Sequence, residues 1–272
     1  MTQIRMRKYS IIVVTYNNAD GLQRTLQSIR HQCYAQREVI VIDGGSKDES
    51  LKIIAENQDI ITTSVSEKDN GIYNAMNKGI RLAKGDYVVF MNAGDEFANK
   101  DVLSRVNDSD GDIILGEDIY GGMQRTLKEK MTVYDLLSNG IYHQAVYYRK
   151  EVLQKYGFDE SYKLIADLKS VVEPLVKDRI AISCINEPLA ICESGGFSKQ
   201  KWRDTLTENR RLIDELIDPF YKDDYLKFAR INNRMLDDFI VLSYFHRAFP
   251  LLRLLARVAR FVNAKFKHIP IE

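Results

Sequence analysis

The chain has few cysteines, few prolines and no long apolar segment. Its 272 residues include three Cys and five Pro. An odd cysteine count without a CxxC pair favours a reducing compartment over a disulfide framework. No apolar run reaches the roughly 18 to 20 residues that span a bilayer, and the basic start lacks the apolar stretch of a signal peptide. We therefore expect a cytoplasmic protein.

The chain also has almost no net charge, because 39 Lys and Arg residues nearly balance 38 Asp and Glu residues. This balance argues against nucleic-acid binding, which usually needs a basic excess. The average hides an asymmetry, however. Residues 239–272 contain six Lys or Arg and a single acidic residue, Glu272. Their charge is +5, which leaves −4 for residues 1–238.

What the sequence does contain is a series of buried strands alternating with helices. The apolar, β-branched runs at 9–16, 38–43 and 86–91 are typical of strands covered on both faces. Apolar residues at helical spacing follow two of these strands. One such segment begins after Asp20, which can cap the first helix, and another begins after Asn70. This alternation predicts βαβ units and an α/β fold built on a parallel sheet.

Polar residues follow each of these strands. Asn17 and Asn18, then Asp43, then Asn92 and Asp95 mark the three strand ends, the edge where open α/β sheets bind ligands. The Asp43 carboxylate would accept hydrogen bonds from a nucleobase or ribose, or simply stabilise its turn. One carboxylate, Asp95, together with diphosphate oxygens would suit Mg²⁺ or Mn²⁺. The sequence lacks both GxGxxG and GxxxxGK[ST], so ordinary dinucleotide and P-loop sites are not expected.

Four stretches, in order, resemble the signatures of glycosyltransferase family 2. They are SIIVVTYNNADGLQRTLQSI, VIVIDGGSKDES, NGIYNAMNKGIRLAKGDYVVFMNAGDE and HQAVYYRKEVLQKYGFDESYKLIADLKS. The resemblance covers about residues 8–200. It implies a GT-A, Rossmann-like mixed sheet flanked by helices, and inverting transfer from a nucleotide-diphosphate sugar.

The resemblance also implies site residues. Those expected to contact the nucleotide sugar are Val14, Thr15, Tyr16, Asp43, Asn74, Asn77 and Asn92. Asp95 would hold Mg²⁺ or Mn²⁺, and Asp167 would take the proton from the acceptor hydroxyl. His143 and Glu117 would contact the acceptor; His143 could instead be a structural histidine, and Glu117 part of a solvated loop.

Two motifs depart from the family pattern. Ala75-Met76-Asn77 stands where members commonly have Ala-Arg-Asn, so Lys78 or another residue would replace a phosphate-binding arginine. Asn92-Ala93-Gly94-Asp95 stands where D-x-D-D is usual, so only the final carboxylate remains.

The resemblance and the later helical pattern divide the chain into a GT-A domain, residues 1–200, and a helical extension, residues 201–272. A glycine-rich segment, 195–198, resembles a loop that closes over the donor. Residues 250–268 form an amphipathic basic segment, which we expect to contact an anionic membrane. Packing on the domain and dimerisation through the same apolar face are the alternatives.

The expected function is transfer of a hexose or hexosamine, from UDP-sugar by preference, to a lipid-linked glycan acceptor. The setting would be capsule, exopolysaccharide or O-antigen synthesis at the inner face of the cell membrane, with a homo-oligomer possible. Two alternatives remain open at this point. One is a sugar-phosphate nucleotidyltransferase, which would need a basic, glycine-rich loop after the first strand. The other is a non-catalytic nucleotide-sugar-binding or scaffold protein.

Overall fold

The computed structural model describes residues 6–193, 202–219 and 222. The chain forms two compact units, residues 1–217 and 218–272. Within the described residues, no helix has the length and apolarity needed to cross a membrane. The expected loop at 195–198 and the basic segment at 250–268 lie outside the described residues.

The first unit contains one nine-stranded sheet and eight described helices. The strands are β1 (Tyr9–Thr15), β2 (Arg37–Asp43), β3 (Thr63–Ser66), β4 (Tyr87–Phe90), β5 (Glu96–Phe97), β6 (Ile113–Tyr120), β7 (Met123–Arg125), β8 (Val146–Arg149) and β9 (Ile182–Cys192). The helices are α1 (Ala19–Arg30), α2 (Ser50–Glu56), α3 (Ile72–Leu82), α4 (Val102–Asn107), α5 (Val133–Asn139), α6 (Lys150–Tyr156), α7 (Ala166–Asp178) and α8 (Trp202–Leu216).

The sheet is mixed, as expected. Its strand order is β3-β2-β1-β4-β8-β6-β9-β5, with β7 paired to β6. β1 runs parallel to β2 and β4, and β2 runs parallel to β3. β8 is antiparallel to both β4 and β6. Because the parallel strands share one direction, the segments after β1, β2 and β4 lie at the same edge of the sheet, and the Ala93 amide hydrogen-bonds the Val14 carbonyl there.

Helices cover both faces of the parallel half. Every residue of β1 is buried, which accounts for its continuous apolar run. The amino end of α1 is capped by Asn18, whose side chain accepts a hydrogen bond from the Gly21 amide at 3.1 Å. The expected cap, Asp20, lies instead in the first turn. On α3, Gly79 lies against Ile12 so closely that a Cβ atom would come within 2.4 Å of the Ile12 Cγ2.

The second half differs more from its sequence pattern. The stretch HQAVYYR, residues 143–149, predicts a strand, but His143–Ala145 form a 3₁₀ turn and β8 starts only at Val146. The helix α5 was not expected; a capping box between Thr132 and Asp135 holds its first turn. The Lys128 ammonium and the Thr132 hydrogen bonds lower the pKa of Asp135 to about 2.

Helix α8 packs on the same unit as the sheet. Its Glu208 carboxylate accepts hydrogen bonds from the backbone amides of Lys163, Leu164 and Ile165. Its Glu215 pairs with Lys169 of α7 at 2.9 Å. The compact unit therefore continues to Ile217, while the division of the chain at residue 200 stays a prediction.

Candidate active site

A cavity of about 570 Å³ opens beside the segment that follows β4. Four of the expected site residues line it: Asn92, Asp95, His143 and Asp167. They come from three separate parts of the chain, the β4–β5 connection, the 3₁₀ turn and the start of α7. The fold thus brings the expected metal ligand and the expected base to one cavity.

Asp95 lines this cavity and is only 5% exposed. One carboxylate oxygen accepts a hydrogen bond from Gln144 Nε2 at 2.7 Å, and the other from the Glu193 amide at 2.9 Å. Burial raises the pKa of Asp95, although these two donors act in the opposite direction. A positive ligand beside the carboxylate would relieve this cost of burial.

Asp167 is held by three hydrogen-bond donors. Its Oδ1 accepts from the Tyr73 hydroxyl at 3.0 Å and from the Leu168 amide at 2.9 Å. Its Oδ2 lies 3.2 Å from His143 Nδ1. An ionised carboxylate offers about four acceptor positions, so one position is left for a substrate hydroxyl.

His143 connects the two sides of the cavity. Asn92 Nδ2 lies 2.8 Å from His143 Nε2. With the amide nitrogen as donor, Nε2 accepts and the imidazole proton is on Nδ1, where it donates to Asp167. The chain of hydrogen bonds therefore runs from Tyr73 through Asp167 and His143 to Asn92.

The donor set around Asp95 fits a hard divalent ion only in part. Within the described ranges, no group of three or more His, Cys, Asp or Glu side chains is arranged to hold a metal. Asn92 Oδ1 and Gln144 Oε1 are buried oxygens with no partner among the described residues. One carboxylate and two amide oxygens are donors that Mg²⁺ and Mn²⁺ accept, provided that a substrate supplies further oxygens.

The other expected donor contacts lie outside this cavity. Asp43 is fully buried, and its carboxylate accepts hydrogen bonds from the Gly45 and Ser46 amides and the Ser66 hydroxyl. Val14 and Thr15 are buried on β1, and Thr15 Oγ1 has no partner among the described residues. Their contact with a nucleotide sugar stays a prediction.

Tyr16 is 66% exposed and packs beside Gly44, whose other near neighbour is Asp69. Lys78 forms ion pairs with Asp69 and Glu67. The cation suggested as a replacement for the missing arginine is therefore paired with two carboxylates, one of which lies near Gly44, and it does not line the cavity described above.

Asn74 and Asn77 make structural contacts. The Asn77 side chain bonds both the amide and the carbonyl of Phe158, and it donates to Glu160 at 2.8 Å. Asn74 donates to the same Glu160 at 3.0 Å. Both side chains tie α3 to the loop after α6. Neither lines the cavity, and their contact with the donor also stays a prediction.

Glu117 is 3% exposed and secures the β6–β7 hairpin, because it accepts hydrogen bonds from Gln124 Nε2 and the Leu127 amide. The solvated loop considered as an alternative for Glu117 is wrong, because Glu117 and the adjacent Asp118 are both buried. Glu117 does not line the cavity, and its contact with the acceptor stays a prediction.

Several cavity residues were not singled out from the sequence. Tyr73 and Gln144 lie inside the family motifs, next to the predicted site residues Asn74 and His143. Their position beside predicted site residues is the sequence feature that could have identified them. Tyr120, Tyr142 and Arg125 also line the cavity. The 123–125 strand carries no distinctive pattern, so only the folded hairpin brings Arg125 to this wall.

Comparison with known proteins agrees with the geometry. The model of the family described as "Glycosyl transferase family 2" matches residues 10–160. A PGL/p-HBAD biosynthesis glycosyltransferase of Mycobacterium bovis is 33% identical over 173 residues, which are 58% of this chain and 66% of that protein.

Two solved structures are similar in fold, each at 18% identity and a TM-score of 0.65. S. aureus TarS 1–349 in complex with UDP-GlcNAc covers 80% of this chain, and 70% of that chain is matched. Mannosyltransferase PcManGT from Pyrobaculum calidifontis, in complex with GDP-Man and Mn²⁺, covers 97% of this chain, and 82% of that chain is matched. These likenesses identify the GT-A fold. The family model spans more than half of the 272 residues, and the chain is therefore a glycosyltransferase that belongs to glycosyltransferase family 2.

Proposed function

We propose that the chain transfers a hexose or hexosamine from a nucleotide-diphosphate sugar, with inversion, to a hydroxyl group of a lipid-linked or oligosaccharide acceptor. One observation carries this proposal. Two carboxylates, Asp95 and Asp167, line a single cavity in clearly different surroundings. Asp95 is buried, accepts a hydrogen bond from the Gln144 side chain, and lies in the same cavity as the unpartnered amide oxygens of Asn92 and Gln144. Asp167 accepts hydrogen bonds from three donors, which leaves its carboxylate one further position for a substrate hydroxyl.

Asp95, with the amide oxygens of Asn92 and Gln144, would hold Mg²⁺ or Mn²⁺ together with the donor diphosphate. A divalent ion held by these residues would neutralise charge on the leaving nucleoside diphosphate. Two similar structures support a nucleotide sugar and a divalent ion as the molecules bound. TarS was crystallised with UDP-GlcNAc and PcManGT with GDP-Man and Mn²⁺. We favour a UDP-sugar as donor.

Asp167 would act as the general base. The acceptor oxygen forms a bond to the anomeric carbon from the face opposite the nucleotide, and the bond to the phosphate oxygen breaks with its electron pair. The hydroxyl proton moves to the remaining acceptor position of Asp167. Help of this kind contributes about 10²- to 10⁴-fold in rate. Tyr73 and His143 hold the carboxylate while this happens.

The acceptor is proposed to be a lipid-linked glycan of capsule, exopolysaccharide or O-antigen synthesis. The enzyme would then work on the cytoplasmic face of the cell membrane, with residues 250–268 on the anionic surface. The basic, amphipathic composition of that segment supports this placement. A liposome-sedimentation assay at low salt tests it. A chain that does not co-sediment with anionic vesicles would contradict the proposal.

A panel of nucleotide sugars, with and without Mn²⁺, tests the donor and the metal. A ligand that binds only the native state raises the melting temperature by mass action. We expect a UDP-sugar to raise it only when Mn²⁺ is present. Nucleotide release from the same donor, measured with and without added glycan, then reports turnover.

Two variants distinguish the metal-binding role of Asp95 from the general-base role of Asp167. We expect Asp95→Ala to abolish the metal-dependent shift and Asp167→Asn to keep that shift while losing turnover. Asp59→Asn is the control, because Asp59 is an exposed carboxylate paired with Arg30 on another part of the surface. Binding without turnover in the unmodified enzyme would favour the non-catalytic alternative. Turnover retained in both cavity variants would contradict the site.

A further inference from the structure

One wall of the cavity is aromatic and carries no assigned role. The rings of Tyr120 and Tyr142 stack with centroids 6.0 Å apart and planes inclined by 30°. The Arg125 guanidinium lies over the Tyr142 ring, 3.9 Å from its centroid. All three residues line the cavity. We call this group the aromatic wall.

The wall adjoins the proposed base. Tyr142 directly precedes His143, whose Nδ1 contacts the Asp167 carboxylate. Asp95 and Asn92, which would meet the donor phosphates, belong to the β4–β5 connection instead. The aromatic wall therefore adjoins His143, which contacts the proposed base Asp167 on one ring nitrogen and Asn92 on the other.

The wall is held rigidly and is close to electrically neutral. Arg125 Nε donates to Asp118 Oδ1 at 3.0 Å, and Asp118 is fully buried. This pair links the two strands of the hairpin, since Asp118 is on β6 and Arg125 on β7. Burial raises the pKa of Asp118, and the paired Arg125 acts in the opposite direction, so the carboxylate offsets the guanidinium charge behind the Tyr142 ring.

A polar side chain of α8 faces the same cavity. Asn209 lines the cavity, and its Nδ2 donates to the Leu137 carbonyl at 3.4 Å. Its Oδ1 is buried and has no partner among the described residues. A buried amide oxygen without a donor is costly, and a ligand hydroxyl would supply that donor.

We propose that Tyr120, Tyr142 and Asn209 form the acceptor subsite and that its occupant is an uncharged pyranose. The sugar's C–H face would stack on the aromatic wall while one hydroxyl donates to Asn209 Oδ1. Rigid aromatic side chains give large contact areas at low entropic cost, which suits a ring-shaped ligand. This inference rests on the proposed function, because it assigns the second substrate of the same cavity.

Saturation-transfer NMR of the full chain tests the subsite with methyl β-D-glucopyranoside and methyl β-D-galactopyranoside as probes. We expect at least one of them to receive magnetisation on its ring protons. Tyr142→Ala and Tyr120→Ala should each weaken binding roughly tenfold or more, the scale of aromatic truncation at a binding site. Tyr142→Phe should bind like the unmodified chain, because the ring is kept.

Tyr156→Ala is the matched control. Tyr156 is partly exposed, carries a cation over its ring, Lys155 at 5.2 Å, and does not line the cavity. We expect this variant to bind the probes normally. Methyl β-D-glucuronide should bind no better than the glucoside, since the wall carries no net charge. Tighter binding of the glucuronide by tenfold would overturn the choice of an uncharged sugar.

The failures of the two proposals are separable. Metal-dependent donor binding in the tyrosine variants, measured by thermal shift, reports on the donor site alone. If no pyranoside binds, or if Tyr142→Ala binds normally, the subsite is wrong while the donor site stands. If no nucleotide sugar binds the unmodified chain, the proposed function itself fails.

Discussion

Replacing Tyr73 with Phe removes one hydroxyl group from the hydrogen bonds that hold Asp167. The hydroxyl donates to Asp167 Oδ1 at 3.0 Å, and Tyr73 is 7% exposed. Burial, followed by the charge of Asp167, raises the Tyr73 pKa well above its usual value. The hydroxyl therefore stays protonated, and remains a donor, throughout the range in which the enzyme would work.

The size of the effect follows from the acceptor's charge. A hydrogen bond to a charged group contributes about 1.5–3 kcal/mol, and about 1.4 kcal/mol corresponds to a factor of ten. If the bond is needed to aim Asp167, kcat should fall by roughly 10- to 100-fold. The donor KM should change little, because Tyr73 does not contact Asp95 or its partners among the described contacts. The melting temperature should fall by about 3–12 °C.

Steady-state nucleotide release and a thermal melt of the same samples measure both quantities. Tyr87→Phe is the matched control, because Tyr87 is 1% exposed and donates its hydroxyl to the Gly111 carbonyl outside the cavity. This control should lose stability but keep kcat. A Tyr73→Phe enzyme with unchanged kcat would refute the idea that Tyr73 positions Asp167. Equal losses of kcat in both variants would indicate a general effect of destabilisation.

Three further substitutions test the fold. Gly79→Ala should destabilise the protein by about 1–3 kcal/mol in urea unfolding, because its Cβ would meet Ile12 at 2.4 Å; helix propensity alone predicts a gain. Asp135→Ala should cost about 1 kcal/mol near pH 6, because it removes the capping-box hydrogen bonds that Asp135 accepts from Thr132. Since the folded pKa of Asp135 is lowered to about 2, that difference should persist above pH 4 and vanish as the pH falls through 2. Asn77→Ala should lower stability by about 2–4 kcal/mol through lost bonds to Phe158, and donor affinity in the same sample tests its predicted sugar-nucleotide contact.

The sequence alone was sufficient for much of the first hundred residues. Continuous apolar runs predict buried strands, and β1, β2 and β4 are such strands. Parallel pairing then requires their polar ends to meet, as they do at Asn18 and Ala93. The sequence predicts the ends of the helices and strands less well. Whether Asn18 or Asp20 caps α1 depends on backbone angles that composition does not specify.

The second half was harder to predict for a physical reason. The strand β8 runs against its neighbours, and β9 crosses to pair with β6 through a shift in register at Gly116 and Glu117. Such pairings depend on contacts between residues that are distant in sequence. The short elements β7 and α5 carry too few residues for a periodic pattern to be recognised.

The candidate site, too, could be predicted from the sequence only in part. The sequence, with its family resemblance, predicts the site residues, and four of them, Asp95, Asp167, His143 and Asn92, line one cavity. The tertiary structure decided how they are connected and what surrounds them. The bonds from Tyr73 and His143 to Asp167, the contacts that bury Asp95 and raise its pKa, and the stacked Tyr120–Tyr142 pair each join residues that are not neighbours in the chain. Distances of this kind are set by packing, and no local pattern of residues encodes them.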